Sequence, residues 1–144
     1  MNSQTGYPAL MQAPERAVGA VVFSENRVLL VQRGRPPLEG AWSLPGGRVL
    51  AGEDPAHAVT REVEEETGLA VSAGPLVAVV TLASEGYHYE IHEILCSIAD
   101  GATASDLRAG DDARAVRWWP HDALIALGVT AEVQRVIAAA RRLV

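Results

Sequence analysis

Three observations predict an α/β fold of the α+β kind. Short β-branched apolar runs recur along the chain, a well-capped amphipathic helix falls between the second and third of them, and a second helical pattern closes the C-terminal end. The chain has 144 residues, 49% of them apolar, which is enough for one packed core, so a single domain over residues 15–144 is expected. Residues 1–14, polar with two prolines, are expected to form a flexible leader.

Residues 18–23 and 28–31 are β-branched-rich runs separated by the polar SENR, a pattern that predicts two strands and a turn. RGRPPLEG, residues 33–40, follows as a Pro- and Gly-rich loop, and AWSLPGGRVLAGED continues the punctuation up to a helix start. Asp54 as N-cap, Pro55 at the first helical position and Gly68 just past the end predict a helix over 55–67. Two strands are expected at 75–83 and 87–99, and a third at 115–119 beyond a Gly- and Asp-rich loop over 100–114. Residues 120–127, stopped by Gly128, form a short helical candidate. Thr130 caps a final helix with Val133, Val136, Ile137 and Ala140 on its apolar face and Arg141 and Arg142 in its last turn, where the helix dipole favours them.

Net charge is −6, and all 12 basic residues are arginine, which excludes a P-loop lysine and argues against a nucleic-acid partner. The single cysteine, Cys96, lies among Ile94, Leu95 and Ile98 and reads as a core residue. The four histidines show no ligand spacing with cysteine. No window approaches the roughly eighteen apolar residues of a membrane span, and the N-terminus lacks a positive n-region, so no membrane partner and a cytoplasmic location are expected.

REVEEETG, residues 61–68, breaks a local rule. It crowds Glu62, Glu64, Glu65 and Glu66 toward the negative end of their own helix, at spacings where like charges repel. At about 100° per residue, Glu65 and Glu66 fall about 60° and 40° to either side of Glu62, whereas Glu64 points nearly opposite. Val59 and Val63 lie beside the three acids, which places them at the edge of a buried stripe. Such oxygen donors suit Mg²⁺ or Mn²⁺; the alternative is a solvated acidic face.

GRVLAGEDPAHAVTREVEEETGL, residues 47–69, resembles the Nudix box G-x5-E-x7-R-E-U-x-E-E-x-G-U at every specified position: Gly47, Glu53, Arg61, Glu62, Val63, Glu65, Glu66, Gly68 and Leu69. A chance match is on the order of 10⁻⁸ per starting point. The resemblance extends over residues 16–128 through VLLVQRGRPPLEGAWSLPGG and AGDDARAVRWWPHDAL. It implies an α/β/α sandwich with a mixed central sheet, and a hydrolase that cleaves the pyrophosphate of a nucleotide with the help of Mg²⁺ or Mn²⁺.

Carried over by position, the resemblance makes Glu62, Glu65 and Glu66 metal ligands with the carbonyl of Gly46 as a further one. Arg61 then orders the acids, and Glu53 braces the loop or joins a second metal's shell. The family leaves the base that takes the water's proton open; Glu93, in an alternating strand, and Asp112, before AVRWW, are the candidates, against an edge-strand acid and a turn residue. Arg33 and Arg35 are candidates to grip a phosphate or the second moiety, and Tyr87 to stack on a base; both arginines also fit a surface role. Trp42, Trp118 and Trp119 are expected to pack.

The flanking segments look most like ADP-ribose pyrophosphatases, so a nucleoside diphosphate linked to a sugar is the expected small-molecule substrate. Tyr87 suits dinucleoside polyphosphate hydrolases, and nucleoside triphosphates remain open. Other classes are a nucleotide-sensing domain without catalysis, a Nudix-fold isomerase and a plain interaction domain with an acidic helix. Relatives are commonly dimers, so a homodimer is compatible with the resemblance.

Overall fold

The computed structural model describes residues 13–144; most of the expected leader, residues 1–12, lies outside the described residues. The chain runs β1 (Glu15–Ser24), β2 (Arg27–Arg33), β3 (Trp42–Ser43), β4 (Gly46–Arg48), α1 (Pro55–Thr67), β5 (Val71–Ser84), β6 (Tyr87–Ile98), β7 (Ala113–Pro120) and α2 (Ala131–Arg141). The sheet order is β3-β2-β1-β6-β5, with β4 beside β1 and β7 beside β2. β1 and β6 are parallel and every other pair is antiparallel, so the sheet is mixed.

β1 organises this arrangement because it is paired along both edges. One edge holds β6 from Glu15↔Tyr89 to Val22↔Cys96. The other holds β4 at Gly19↔Gly46 and then β2 at Phe23↔Val28. Alternation along β1 and β6 sends side chains to two cores. Val18, Ala20, Val22, Ile94 and Cys96 pack with Val59 and Val63 of α1, while Val21 and Leu95 pack with Val136, Ile137 and Ala140 of α2. One helix on each face completes an α/β/α sandwich.

The helices form where the caps predict. Asp54 accepts the His57 N–H at 2.8 Å, and Gly68 takes the left-handed φ of 78° while its N–H donates to Glu64 O. Thr130 caps α2 by accepting the Val133 N–H, and Arg141 lies 4.0 Å above the Phe23 ring. Trp42 and Trp119 pack edge to face at 5.3 Å, and Trp118 Nε1 donates to Ala104 O.

Three regions differ most from expectation. β5 spans Val71–Ser84 rather than 75–83, because register shifts between Ala73 and Ala78 absorb Gly74 and Pro75, and an edge strand tolerates the missing proline N–H. Residues 120–127 form one 3₁₀ turn at His121–Ala123 and further turns instead of a helix; so short a segment gains too few bonds to offset nucleation. β3 and β4, read as loop, are strands held by backbone pairing to β2 and β1, which their Gly- and Pro-rich sequence does not advertise.

Glu93 is also placed differently from either sequence reading. It is neither in an open cleft nor on an edge, since β6 lies between β1 and β5. Its side chain shares the α2 face with Leu95, is 5% exposed, and occupies the space above Gly19, where an added Cβ would lie 1.9 Å from Oε1. Oε1 has no hydrogen-bond partner. Desolvation first, then the charge of Glu132 on α2, pushes its pKa up to about 7.

Because the folded chain holds this proton more tightly than the unfolded one, the associated stability is complete below the ordinary value of 4.5 and is lost as pH rises through about 7. Glu93→Gln is therefore expected to match wild type near pH 4.5 and to exceed it at pH 8 by on the order of 3 kcal/mol in urea titrations. A stability difference independent of pH would show that Glu93 is solvated.

Candidate active site

Arg61 is the centre of the acidic cluster, and all five of its N–H donors are used. Nε and Nη2 form a bidentate pair with Glu53 at 2.6 and 2.9 Å. Nη1 is shared by Glu62 at 2.9 Å and Glu65 at 3.1 Å, and Nη2 also reaches Arg48 O at 3.1 Å. Arg61 holds the Glu53 carboxyl down at about 2, helped by the Leu50 N–H, and Glu53 in turn raises the guanidinium pKa. One helix residue thus joins α1 to the loop that precedes it.

Glu66 turns away from Arg61, and its Oε1 accepts the Gly46 N–H at 2.9 Å. Desolvation raises both Glu62 and Glu66, the latter to about 7, with the Gly46 hydrogen bond opposing the rise. Gly47 lies beneath them: an added Cβ would lie 2.3 Å from the Glu62 carboxyl carbon. A side chain there would push the Glu62 carboxylate from the position in which Arg61 holds it.

The loop after β6 is seated on the C-terminal end of α1. The Arg108 N–H donates to Thr67 O at 2.7 Å and the Gly110 N–H to Glu66 O at 2.9 Å. These bonds satisfy carbonyls that a helix end leaves open, and they bring donors to the end where the acids are crowded. A Cβ on Gly110 would lie 2.1 Å from Glu65 O. Two residues on, Asp112 is near enough for its charge to raise the pKa of both Glu62 and Glu66.

Asp112 also meets the loop between β2 and β3. Its carbonyl accepts the Gly34 N–H at 2.9 Å, and its carboxylate pairs with Arg35 Nε at 2.8 Å. Arg114 pairs with Glu39 of the same loop. On the far side, Glu85 in the β5–β6 turn accepts the Leu38 N–H at 2.8 Å. Arg33 braces the loop from within, donating from Nε to Pro37 O at 2.6 Å, while its charge lowers the Glu66 pKa. Tyr87 stacks on Tyr89 with ring centroids 5.9 Å apart.

The fold thus gathers Gly46, Glu53, Arg61, Glu62, Glu65, Glu66 and Asp112, with Arg33 at the end of β2 and Arg35 on the loop that follows it. Glu93 lies on the opposite face of the sheet and is not among them. Arg108 and Gly110, which seat Asp112, were not singled out from sequence; the only signal was a glycine before the paired aspartates. Three acids sharing a helix face do not yet form a socket, because Arg61 fills the space between Glu62 and Glu65 and Glu66 is committed to Gly46. Among the described residues no three His, Cys, Asp or Glu side chains are drawn together closely enough to hold an ion. The donor chemistry nevertheless fits a hard divalent cation: the side-chain donors are carboxylates, two of them, Glu62 and Glu66, are desolvated, and Glu66 has no cationic hydrogen-bond partner.

The NUDIX domain family model matches residues 13–140, and the chain belongs to the Nudix family. An ADP-ribose pyrophosphatase of Methanocaldococcus jannaschii is 34% identical over 101 residues, covering 70% of this chain and 59% of that protein. A Bacillus subtilis relative is 33% identical over 126 residues and is likewise matched over 55% of its length, so the chain spans little more than half of these curated relatives. Among solved structures, a MutT NUDIX hydrolase from Burkholderia pseudomallei superposes with TM-score 0.76 at 30% identity, covering 89% of this chain and 98% of that one. An ADP-ribose pyrophosphatase from Streptococcus suis gives 0.69 at 28%, covering 90% and 93%.

Gly110→Ala is expected to cost about 3 kcal/mol in chemical denaturation, since the new methyl must displace backbone at the end of α1. An unchanged midpoint would show that this loop is not seated on the helix.

Proposed function

We propose that residues 15–144 form a single Nudix domain that acts as a metal-dependent pyrophosphohydrolase. It cleaves the diphosphate of a nucleoside diphosphate linked to a second moiety, with ADP-ribose or another nucleotide sugar as substrate. The observation that carries this reading is the complete box folded as one unit: Arg61 binds Glu53, Glu62 and Glu65, Glu66 is set against Gly46, and Asp112 is brought alongside. The ADP-ribose pyrophosphatases among the relatives support the substrate class.

Glu62, Glu65 and Glu66, with the Gly46 carbonyl, are the groups that would hold Mg²⁺ or Mn²⁺. When bound, such an ion offsets the charge of the diphosphate and lowers the pKa of an attacking water. Arg61 positions the acids through Glu53, which keeps its guanidinium fixed. Asp112 is assigned as the base that accepts the water's proton, because it shares the field of Glu62 and Glu66, whereas Glu93 is buried beneath α2. Arg33, Arg35 and Tyr87 are assigned to the substrate's arms. The chain's negative charge suits a small substrate rather than a nucleic acid, and no helix among the described residues is long and apolar enough to cross a membrane. A cytoplasmic location is part of the proposal.

A nucleotide panel containing ADP-ribose, nucleoside triphosphates and dinucleoside polyphosphates, assayed with Mg²⁺ and with chelator, tests the reading. Turnover is expected to be fastest on ADP-ribose or a nucleotide sugar and to vanish with chelator. Glu66→Gln is expected to lower kcat by about 100-fold or more. Its melting temperature should stay close to wild type, because the amide oxygen still accepts from Gly46. Turnover indifferent to chelator, or full activity in that variant, would refute the metal role. Binding without turnover on every member would identify a nucleotide sensor.

A further inference from the structure

Two arginines stand at the β2–β3 loop, Arg33 at the end of β2 and Arg35 within the loop, and the structure gives them different kinds of partner. Arg33 is committed to the loop itself, with Nε 2.6 Å from Pro37 O and Nη2 3.5 Å from Pro36 O, both main-chain acceptors. Arg35 instead pairs with the side chain of Asp112, on a different loop, at 2.8 Å. Both members of that pair are well exposed, 70% and 62%, so solvent screens it and it is inexpensive to open. The backbone around it is held independently. Gly34 N–H binds Asp112 O, Gly110 N–H binds Glu66 O, and Glu85 holds Leu38 at the other end of the loop. Opening the Arg35–Asp112 pair therefore frees two side chains without releasing either loop.

The pair is electrostatically linked to the acids: the Asp112 charge reaches Glu62 and Glu66, and Arg35, itself well exposed, is the counter-charge of Asp112. A phosphate offers a guanidinium several anionic oxygens in a geometry it can grip with two parallel bonds, and so competes well with a single exposed carboxylate.

We propose that Arg35 is an exchangeable clamp. In the free protein it occupies Asp112, and when a nucleoside diphosphate enters it transfers to a phosphate and leaves the Asp112 carboxylate free. Asp112 then accepts a proton from water as the water's oxygen attacks phosphorus and the bond to the bridging oxygen breaks. The base is thereby made available only when substrate is in place. This proposal rests on the hydrolase reading and on Asp112 as its base.

The test compares wild type, Arg35→Gln, Arg35→Lys and Asp112→Asn with two measurements. In calorimetry with the non-hydrolysable α,β-methylene analogue of ADP and Mg²⁺, Arg35→Gln is expected to weaken binding about 10-fold or more, the loss of a charge-assisted contact, with partial recovery in Arg35→Lys. In steady-state kinetics on the best substrate of the panel, Arg35→Gln should raise KM about 10-fold and leave kcat within about threefold, because the backbone bonds still place Asp112. Asp112→Asn should show the reverse split, with kcat lost and KM at or below the wild-type value, because Arg35 no longer has a carboxylate to leave. If Arg35 is instead a fixed brace for Asp112, its loss will lower kcat at unchanged KM and leave analogue affinity unaltered, and the exchange is overturned. An analogue complex in which the Arg35–Asp112 pair persists overturns it as well. A chain that binds the analogue in an Arg35-dependent way yet turns over nothing overturns the hydrolase reading and leaves phosphate capture by Arg35 standing.

Discussion

The guanidinium of Arg61 is the interaction on which the acidic cluster depends. Glu53, Glu62 and Glu65 come together only because one planar cation with five donors is placed among them, and its fifth contact, to Arg48 O, ties the cluster to β4. A lysine offers a point charge and could not form the bidentate pair with Glu53 while also holding two more carboxylates and a carbonyl. The planar guanidinium is used in other ways elsewhere in a chain whose basic residues are all arginine. Arg33 holds loop carbonyls, Arg117 lies over Trp119 and Arg141 over Phe23.

Placing acids at the negative end of α1 is costly by local rules, and the structure shows how the cost is met. Arg61 compensates the side chains, while the N–H groups of Arg108 and Gly110 compensate the last carbonyls. Glu66 is left with a single neutral donor, Gly46 N–H, and a pKa pushed up to about 7. Its residual electrostatic discomfort fits the proposed metal role, since functional sites depart from what stability alone would favour. Glu93 is a second departure, and it lies on the other face of the sheet, beneath α2.

Much of this was legible in the sequence because the signals are local. The caps of α1 and α2 follow from Asp54, Gly68 and Thr130, and the two-faced core follows from alternation along β1 and β6. The box spacing placed Glu53 and Arg61 eight residues apart, which the helix and its preceding turn convert into a direct contact. What was not legible depends on pairing between distant segments. β3 and β4 exist only through their neighbours, and the extension of β5 depends on bulges opposite β6. Alternation alone could not decide which face Glu93 would take, because that is set by where α1 and α2 dock. Asp112 was recognisable as an acid in a loop, but its closeness to the box required the bond from Gly110 to Glu66, 44 residues away in sequence.

The attachment of residues 108–112 at both ends has a consequence for variation among relatives. Gly110 is fastened to α1 and Asp112 to Gly34, so the position of this acid is set by bonds on either side of it, while the stretch between Ile98 and Arg108 is held separately, by Ala70 O at Ala99 and by Trp118 Nε1 at Ala104. Only the exposed turns between those two anchors are left where a change of length would pass no new shape to the acid that follows.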